Sequence, residues 1–457
     1  DWVGTLQTAG SGAAGDLRVR FVQDPLNATP RIARLATDPA SAQQIRIDGT
    51  QVELDVGQPG WGGADFITDN DALSMNLSAR LYFGNWATTQ TFASASIVAA
   101  GGVARDPGGG SNFLFSTTGP LSITTGGSIG APGLEPIIPS FGSLAISAAG
   151  NVHLHLGAND IDDGILAGIS TGAGVQTIAL LNDSGRSMTF NGTRTLGDAL
   201  SLSVSGGGQI VFGPNARYTV DSLTLRGDAQ LQAGSQLTLA QGGSFGPVVH
   251  AGSIAVQGGT LDLAAVCCGP TFTDNGGSIT MAAGATVIGP SGGLTLSSGR
   301  IGGSGTWIGA VSNSGGTVAP GASPGRLTID GDYLQGAGGS LQIELEGTTA
   351  ASQHDQLAVL GQATLGGTLS VTTPGTFIPA TSDVFDIVTA SGGRGGSFAT
   401  AQLPVGYVGA PVYTANAVQL GFSTVPAAPV VVPPAATTSA PATLVNDLLA
   451  TSERLRP

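Results

Sequence analysis

The sequence predicts an all-β protein, a right-handed parallel β-helix (a β-solenoid), and three observations carry that reading. Strands of three to five residues alternate apolar with polar side chains, 74 glycines punctuate them, and helix signals are nearly absent before the last dozen residues. The glycines follow no Gly-X-Y register, and 41% of the residues are hydrophobic, so neither collagen nor disorder fits most of the chain. A length of 457 residues exceeds one ordinary globular core. A solenoid removes the difficulty, because it lengthens along one axis without widening.

Taken in order, residues 1–110 read as an N-terminal β region or cap. They hold longer strands at 16–22 and 44–47 and three of the four tryptophans, Trp2, Trp61 and Trp86. The solenoid proper is expected over 111–423. Its strands fall at 222–225, 229–231, 236–239, 253–256, 260–263 and 278–281, neighbours about 6 to 10 residues apart and pairs of them recurring roughly every 14 to 18. That spacing is too loose for a strict hexapeptide left-handed helix and suits a right-handed coil with variable loops. Each coil turns Leu, Ile and Val inward onto their equivalents in the next, about 4.8 Å away. Thr, Ser and Gln then face water, and glycine takes the tight corners. Residues 424–443 form a Pro/Ala-rich linker, expected to be extended. The tail, 444–457, carries a candidate short helix with Leu444, Leu448, Leu449 and Leu455 apolar, too short to stand alone.

Charge excludes several functions. All 16 basic residues are Arg, against 30 acidic ones, for a formal charge of −14. Nucleic-acid binding needs clustered cations to displace phosphate counterions, and no Arg cluster exists, so no nucleic-acid partner is expected. An anionic membrane is an equally poor target. No run of about 18 apolar residues is present to span a bilayer as a helix. The chain opens Asp1-Trp2-Val3 and reads as a mature product or a fragment. Its two cysteines, Cys267 and Cys268, are adjacent. Neighbouring Cα atoms sit about 3.8 Å apart, so a vicinal disulfide would be strained. Two packed free thiols are the alternative.

The segment 315–404 contains Pro320-Gly321, Ser323-Pro324-Gly325, Leu327-Thr328-Ile329, Gly331-Asp332-Tyr333, Asp355-Gln356-Leu357 and Gly366-Gly367-Thr368-Leu369. In this order and spacing they closely resemble the C-terminal passenger region of bacterial autotransporter adhesins and related β-helical exoproteins. The match covers about a fifth of the chain. The resemblance implies the end of a passenger β-helix, normally followed by an outer-membrane translocator barrel. Here Pro-rich sequence follows Leu420 instead. A filamentous-haemagglutinin-like exoprotein is the related alternative, although its N-terminal secretion motif is not found.

Candidate chemistry is sparse. His153 and His155 alternate on a strand and therefore share a face; with Asp160, Asp162 and Asp163 just beyond, they are the candidate metal ligands. A polar outward face followed by an acidic turn is the blander reading. Arg226-Gly227-Asp228 matches a tripeptide that integrins recognise, yet it also reads as a plain corner between two strands. Trp61, Tyr82, Phe83 and Trp86 are candidate binding aromatics or the core of a cap. A β-helical polysaccharide-active enzyme would need gathered carboxylates. Nothing in the sequence gathers Asp162, Asp163, Asp228 and Asp262.

The expectation is a secreted or cell-surface protein without catalysis and without a cofactor. It would act in adhesion or surface attachment, engaging host, matrix or neighbouring-cell surface components. Self-assembly with copies of itself into a surface filament or sheath, through the C-terminal tail, is the alternative.

Overall fold

Parallel pairing organises the molecule, seen in a computed structural model. It describes residues 116–424 apart from 158, 247 and 265–271. Before these it describes 91–105 and the strand segments 3–7, 17–20, 31–36, 44–49, 52–54, 72–77 and 80–83. Among the described residues, no helix is long and apolar enough to cross a membrane.

Through the central region each coil gives one strand to each of three sheets, as Leu223–Arg226, Ala229–Leu231 and Gln236–Leu239 do in succession. The first sheet has 14 strands, from Ile137–Ile138 to Pro411–Tyr413. The second runs as six strands ending at Phe272–Asp274, and a separate five-stranded sheet follows from Leu294–Leu296. The third has ten, ending at Thr400–Gln402. These are the stacked coils of a β-solenoid. Coil length varies with the loops: Gly243 pairs Leu261, 18 residues on, whereas Val359 pairs Ala390, 31 residues on.

Alternation explains why these segments are strands. In Leu223–Arg226, Leu223 and Leu225 are buried while Thr224 and Arg226 face outward. On the third sheet Leu237 and Leu239 repeat the pattern, and the next coils continue it with Ile254 and Val256, then Ile279 and Met281, each in register with its predecessor. Burying one such side chain contributes about 1.5–3 kcal/mol relative to exposure. The stack therefore gains from every coil added.

Strands on both sides of residue 110 belong to one seven-stranded parallel sheet, in which Ser94–Ala99 pairs Pro120–Thr125. Parallel pairing is already present at Val3–Gln7, in register with Arg31–Ala36. Single bridges, Val103 to Ile129 and Ile129 to Val152, join the N-terminal five-stranded sheet to the long one. The other end changes sense. Val384–Ala390 pairs antiparallel with Ala417–Gly421, which pairs antiparallel with Pro411–Tyr413. Phe385 contacts Phe377 and Phe422 at edge-on geometry, filling the last coil.

Some buried polar residues sit at strand ends, where corner backbone groups need partners. Asn313 and Gln335 are 0% and 1% exposed. The Gln335 amide donates to the carbonyls of Gly366 (2.8 Å) and Thr368 (3.0 Å) and accepts from the Tyr333 hydroxyl (2.7 Å). The Gly316 N–H donates to Asn313 Oδ1 at 2.9 Å. Burial pushes the Tyr333 hydroxyl above its ordinary pKa, so it stays a donor.

Candidate binding faces and buried polar groups

In-register stacking turns the water-facing residues of successive strands into columns. On the third sheet, Ser253, Ser278, Thr317, Ser340, Thr368 and Thr400 occupy one column, interrupted by Arg300. Arg300 reaches along this face, its guanidinium donating to Gln342 Oε1 at 2.6 Å. On the long sheet, Thr260, Thr286, Thr306 and Thr328 stand in register in four successive coils. Two residues along, the neighbouring column reads Asp262, Ile288, Ile308 and Asp330. Both faces offer regularly spaced hydroxyl donors and acceptors with little charge.

The histidines share a face, as alternation predicts, but that face is covered. His153 is 6% exposed and His155 9%. The strand Val152–Leu156 pairs in parallel with Ile137–Ile138 on one side and Thr177–Asn182 on the other. Burial lowers the His153 pKa, against the opposing pull of Glu135. His155 Nε2 meets Asp183 Oδ1 at 2.7 Å, an acid the sequence reading did not single out.

The three candidate aspartates go three ways. Asp162 caps a one-turn helix, Asp163–Ala167, by accepting from the Ile165 N–H at 3.0 Å. No periodicity marks so short a helix; the Asp-Asp pair at its start is its only local cap signal. Asp163 turns to the next coils, accepting from the backbone N–H of Asn191 (2.7 Å) and Gly192 (2.9 Å) and from the Tyr218 hydroxyl. Tyr218 lies against Phe190 and Phe212, and burial, then Asp163, push its pKa up. Asp160 faces Arg186 at 3.6 Å on the surface. No group of three or more His, Cys, Asp or Glu suited to a metal occurs among the described residues.

Arg226 and Asp228 are exposed at the corner between Leu223–Arg226 and Ala229–Leu231. Gly227 between them has φ +99°, and a Cβ there would lie 2.4 Å from the Val204 carbonyl oxygen. The glycine is therefore required by coil-to-coil approach, whatever the tripeptide binds. Tyr82 and Phe83 lie in the strand Arg80–Phe83, in register with Ala104 and Arg105. Trp61, Trp86, Cys267, Cys268, Leu444, Leu448, Leu449 and Leu455 lie outside the described residues.

Sequence reasoning missed a polar group inside the core. His250 and Asp274 are in register on adjacent coils, with Nδ1 and Oδ1 3.3 Å apart and side chains 1% and 3% exposed. Among the described residues, His250 Nε2, Asp274 Oδ2 and the buried Ser235 Oγ have no hydrogen-bond partner. Strand parity does put His250 on the side of Val248 and Asp274 on the side of Phe272. A polar residue at an inward position is hidden by its own type, since polarity argues for the outside. Replacing Asp274 alone by Leu is expected to lower stability by about 1–3 kcal/mol, because it leaves a buried imidazole nitrogen unpaired. Replacing both by Leu is expected to be neutral or stabilising. Urea titrations of the two variants check this, and a double variant weaker than the single would contradict it.

In comparisons with known proteins, no family model matches this chain and no curated protein matches it.

Proposed function

We propose that this chain is a non-catalytic surface solenoid, outside the cell or on its surface, that acts in adhesion or attachment. Its broad sheet faces would bind neutral, hydroxyl-rich polymers of a host, matrix or neighbouring cell. The observation that supports this most is the hydroxyl column of the third sheet, which crosses seven coils with one charged interruption. Side chains spaced about 4.8 Å apart along one line suit a repeating ligand better than a compact one. Weak hydrogen bonds, each worth about 0.5–1.5 kcal/mol, then add along the polymer. Among the candidate acids and histidines, Asp162 and Asp163 are bonded to backbone groups and Tyr218, His155 is paired with Asp183, and Asp160 faces Arg186.

A panel of immobilised glycans and matrix proteins tests the reading. Ser278→Arg with Thr317→Arg, both on outward strand positions, is expected to weaken binding about tenfold or more while leaving the circular dichroism spectrum unchanged. Binding unaffected by this change would remove the face from the proposal, and sugar cleavage would replace it with an enzyme.

Assembly is the second reading, favoured by exposed apolar side chains at the antiparallel end. Ile378, Val384, Val405, Val408 and Val412 are each at least 43% exposed there. Electron microscopy of the purified chain separates the two, since regular fibres would favour assembly and isolated rods attachment.

A further inference from the structure

The turn 321–325 is bonded to its neighbours by backbone, from the Gly321 N–H to the Gly303 carbonyl (2.8 Å) and from the Gln356 N–H to the Gly325 carbonyl (2.9 Å), and by one buried carboxylate, that of Asp355. Its residue is 2% exposed. Oδ1 accepts from the Gly325 N–H at 2.9 Å and Oδ2 from the Glu344 N–H at 2.9 Å. One side chain thus ties the turn to the strand Ser340–Glu344 across the coil. The fit is close on both sides. A Cβ at Gly321 would lie 2.0 Å from Asp355 Oδ1, and one at Gly325 would lie 2.0 Å from Ser304 Oγ in the preceding coil. Above the carboxylate, the Ser323 hydroxyl donates to Glu344 Oε2 at 2.5 Å.

The groups facing this carboxylate are acidic or neutral. Glu344 and Glu346 stand nearby and disfavour its charge. His354, the preceding residue, is buried, and burial lowers its pKa; its Nδ1 is 3.3 Å from the Gly347 carbonyl, and Asp386 lies near it. Arg326, in register with Gln356, is exposed on the outer face. No cation is therefore bonded to Asp355 among the described residues, and its charge is balanced by two backbone N–H groups.

We propose that Asp355 makes the turn 321–325 a pH-sensitive joint, closed on the acid side of neutrality and loosened as the pH rises through it. The sign follows from where the proton is held. Burial, then the two glutamates, push the Asp355 carboxyl up to about 7 against the pull of its N–H donors. Opening the turn returns the group to water, where an aspartate titrates near about 4. The closed form therefore binds the proton more tightly. Its advantage is full below about pH 4, declines as pH rises to about 7, and is constant above that.

Hydrogen exchange read by mass spectrometry on peptides spanning 321–327 and 342–346 tests the joint, with rates referenced to the unfolded chain at each pH. Protection is expected to fall by up to about tenfold per pH unit between about 4 and 7, then level off. Asp355→Asn, which carries no titrating proton, is expected to show no such slope. Glu344→Gln with Glu346→Gln leaves the fold intact, since Glu344 is partly exposed and Glu346 exposed, and is expected to move the falling segment to lower pH. A flat or rising wild-type profile overturns the proposal. So does a slope that survives in Asp355→Asn, or a window that the glutamine variant leaves in place.

Discussion

Replacing Trp307 with alanine is expected to lower the unfolding free energy by about 3–5 kcal/mol. The indole is 0% exposed and is the largest fully buried side chain. It lies in register between Val287 and Ile329, and a Cβ at Gly289 would be 2.7 Å from its Cζ2. The ring thus fills space that a backbone without a side chain has left for it. Alanine would leave a cavity across three coils, and strands paired on both sides cannot collapse to close it. Its Nε1 has no hydrogen-bond partner among the described residues, so Trp307→Phe gives up volume but no bond. That variant is expected to lose clearly less than alanine does. Urea unfolding followed by circular dichroism measures both. In a solenoid, stability passes between neighbours, so hydrogen exchange should show the loss concentrated over 286–330. A loss under about 1 kcal/mol for alanine would mean that the ring is not a structural centre of these coils.

Trp307 also marks how far the sequence could be read. Strand positions followed directly from alternation: 236–239, 253–256 and 278–281 are strands over those same residues. Inward Leu, Ile and Val decide the fold class, because burying them requires one period and one orientation. Coil length was not legible. It depends on loops such as 373–383, whose residues carry no periodicity, and this is why Val359 finds its partner 31 residues on. The site was harder still. Alternation correctly put His153 and His155 on one face, yet nothing local says that Ile137–Ile138 pairs alongside. Asp163 and Tyr218 are 55 residues apart and meet because the coils between them have particular lengths. Asp355 reads in the sequence as part of a family-like motif. Its double backbone bond depends on Gly325 and Glu344 arriving from separate coils. Residue type predicts chemistry, whereas register decides which chemistry meets.

Gly303→Ala is expected to cost about 2–6 kcal/mol, combining a disfavoured backbone angle with overpacking. Gly303 has φ +97°, and a Cβ would lie 2.1 Å from the Met281 carbonyl oxygen and 2.7 Å from its nitrogen. That oxygen already accepts from the Ser304 N–H at 2.7 Å, and the Gly303 carbonyl accepts from the Gly321 N–H at 2.8 Å. Three coils therefore pass through this one residue. A methyl group here must separate backbones, so the damage differs in kind from that of Trp307→Ala, which leaves the strands paired around a void. Limited proteolysis should distinguish them, with cutting near 299–305 and 316–325 for Gly303→Ala and not for the tryptophan variant. Gly292→Ala is the control, because no atom lies within 4 Å of a Cβ there and its φ is not in the left-handed region. It is expected to be neutral or to stabilise by about 0.4–1 kcal/mol, through a less flexible unfolded chain. Equal effects at the two positions would show that coil-to-coil approach does not set the need for glycine. Opposite signs would identify Gly303 as a point where the spacing of the stack is fixed by the absence of a side chain.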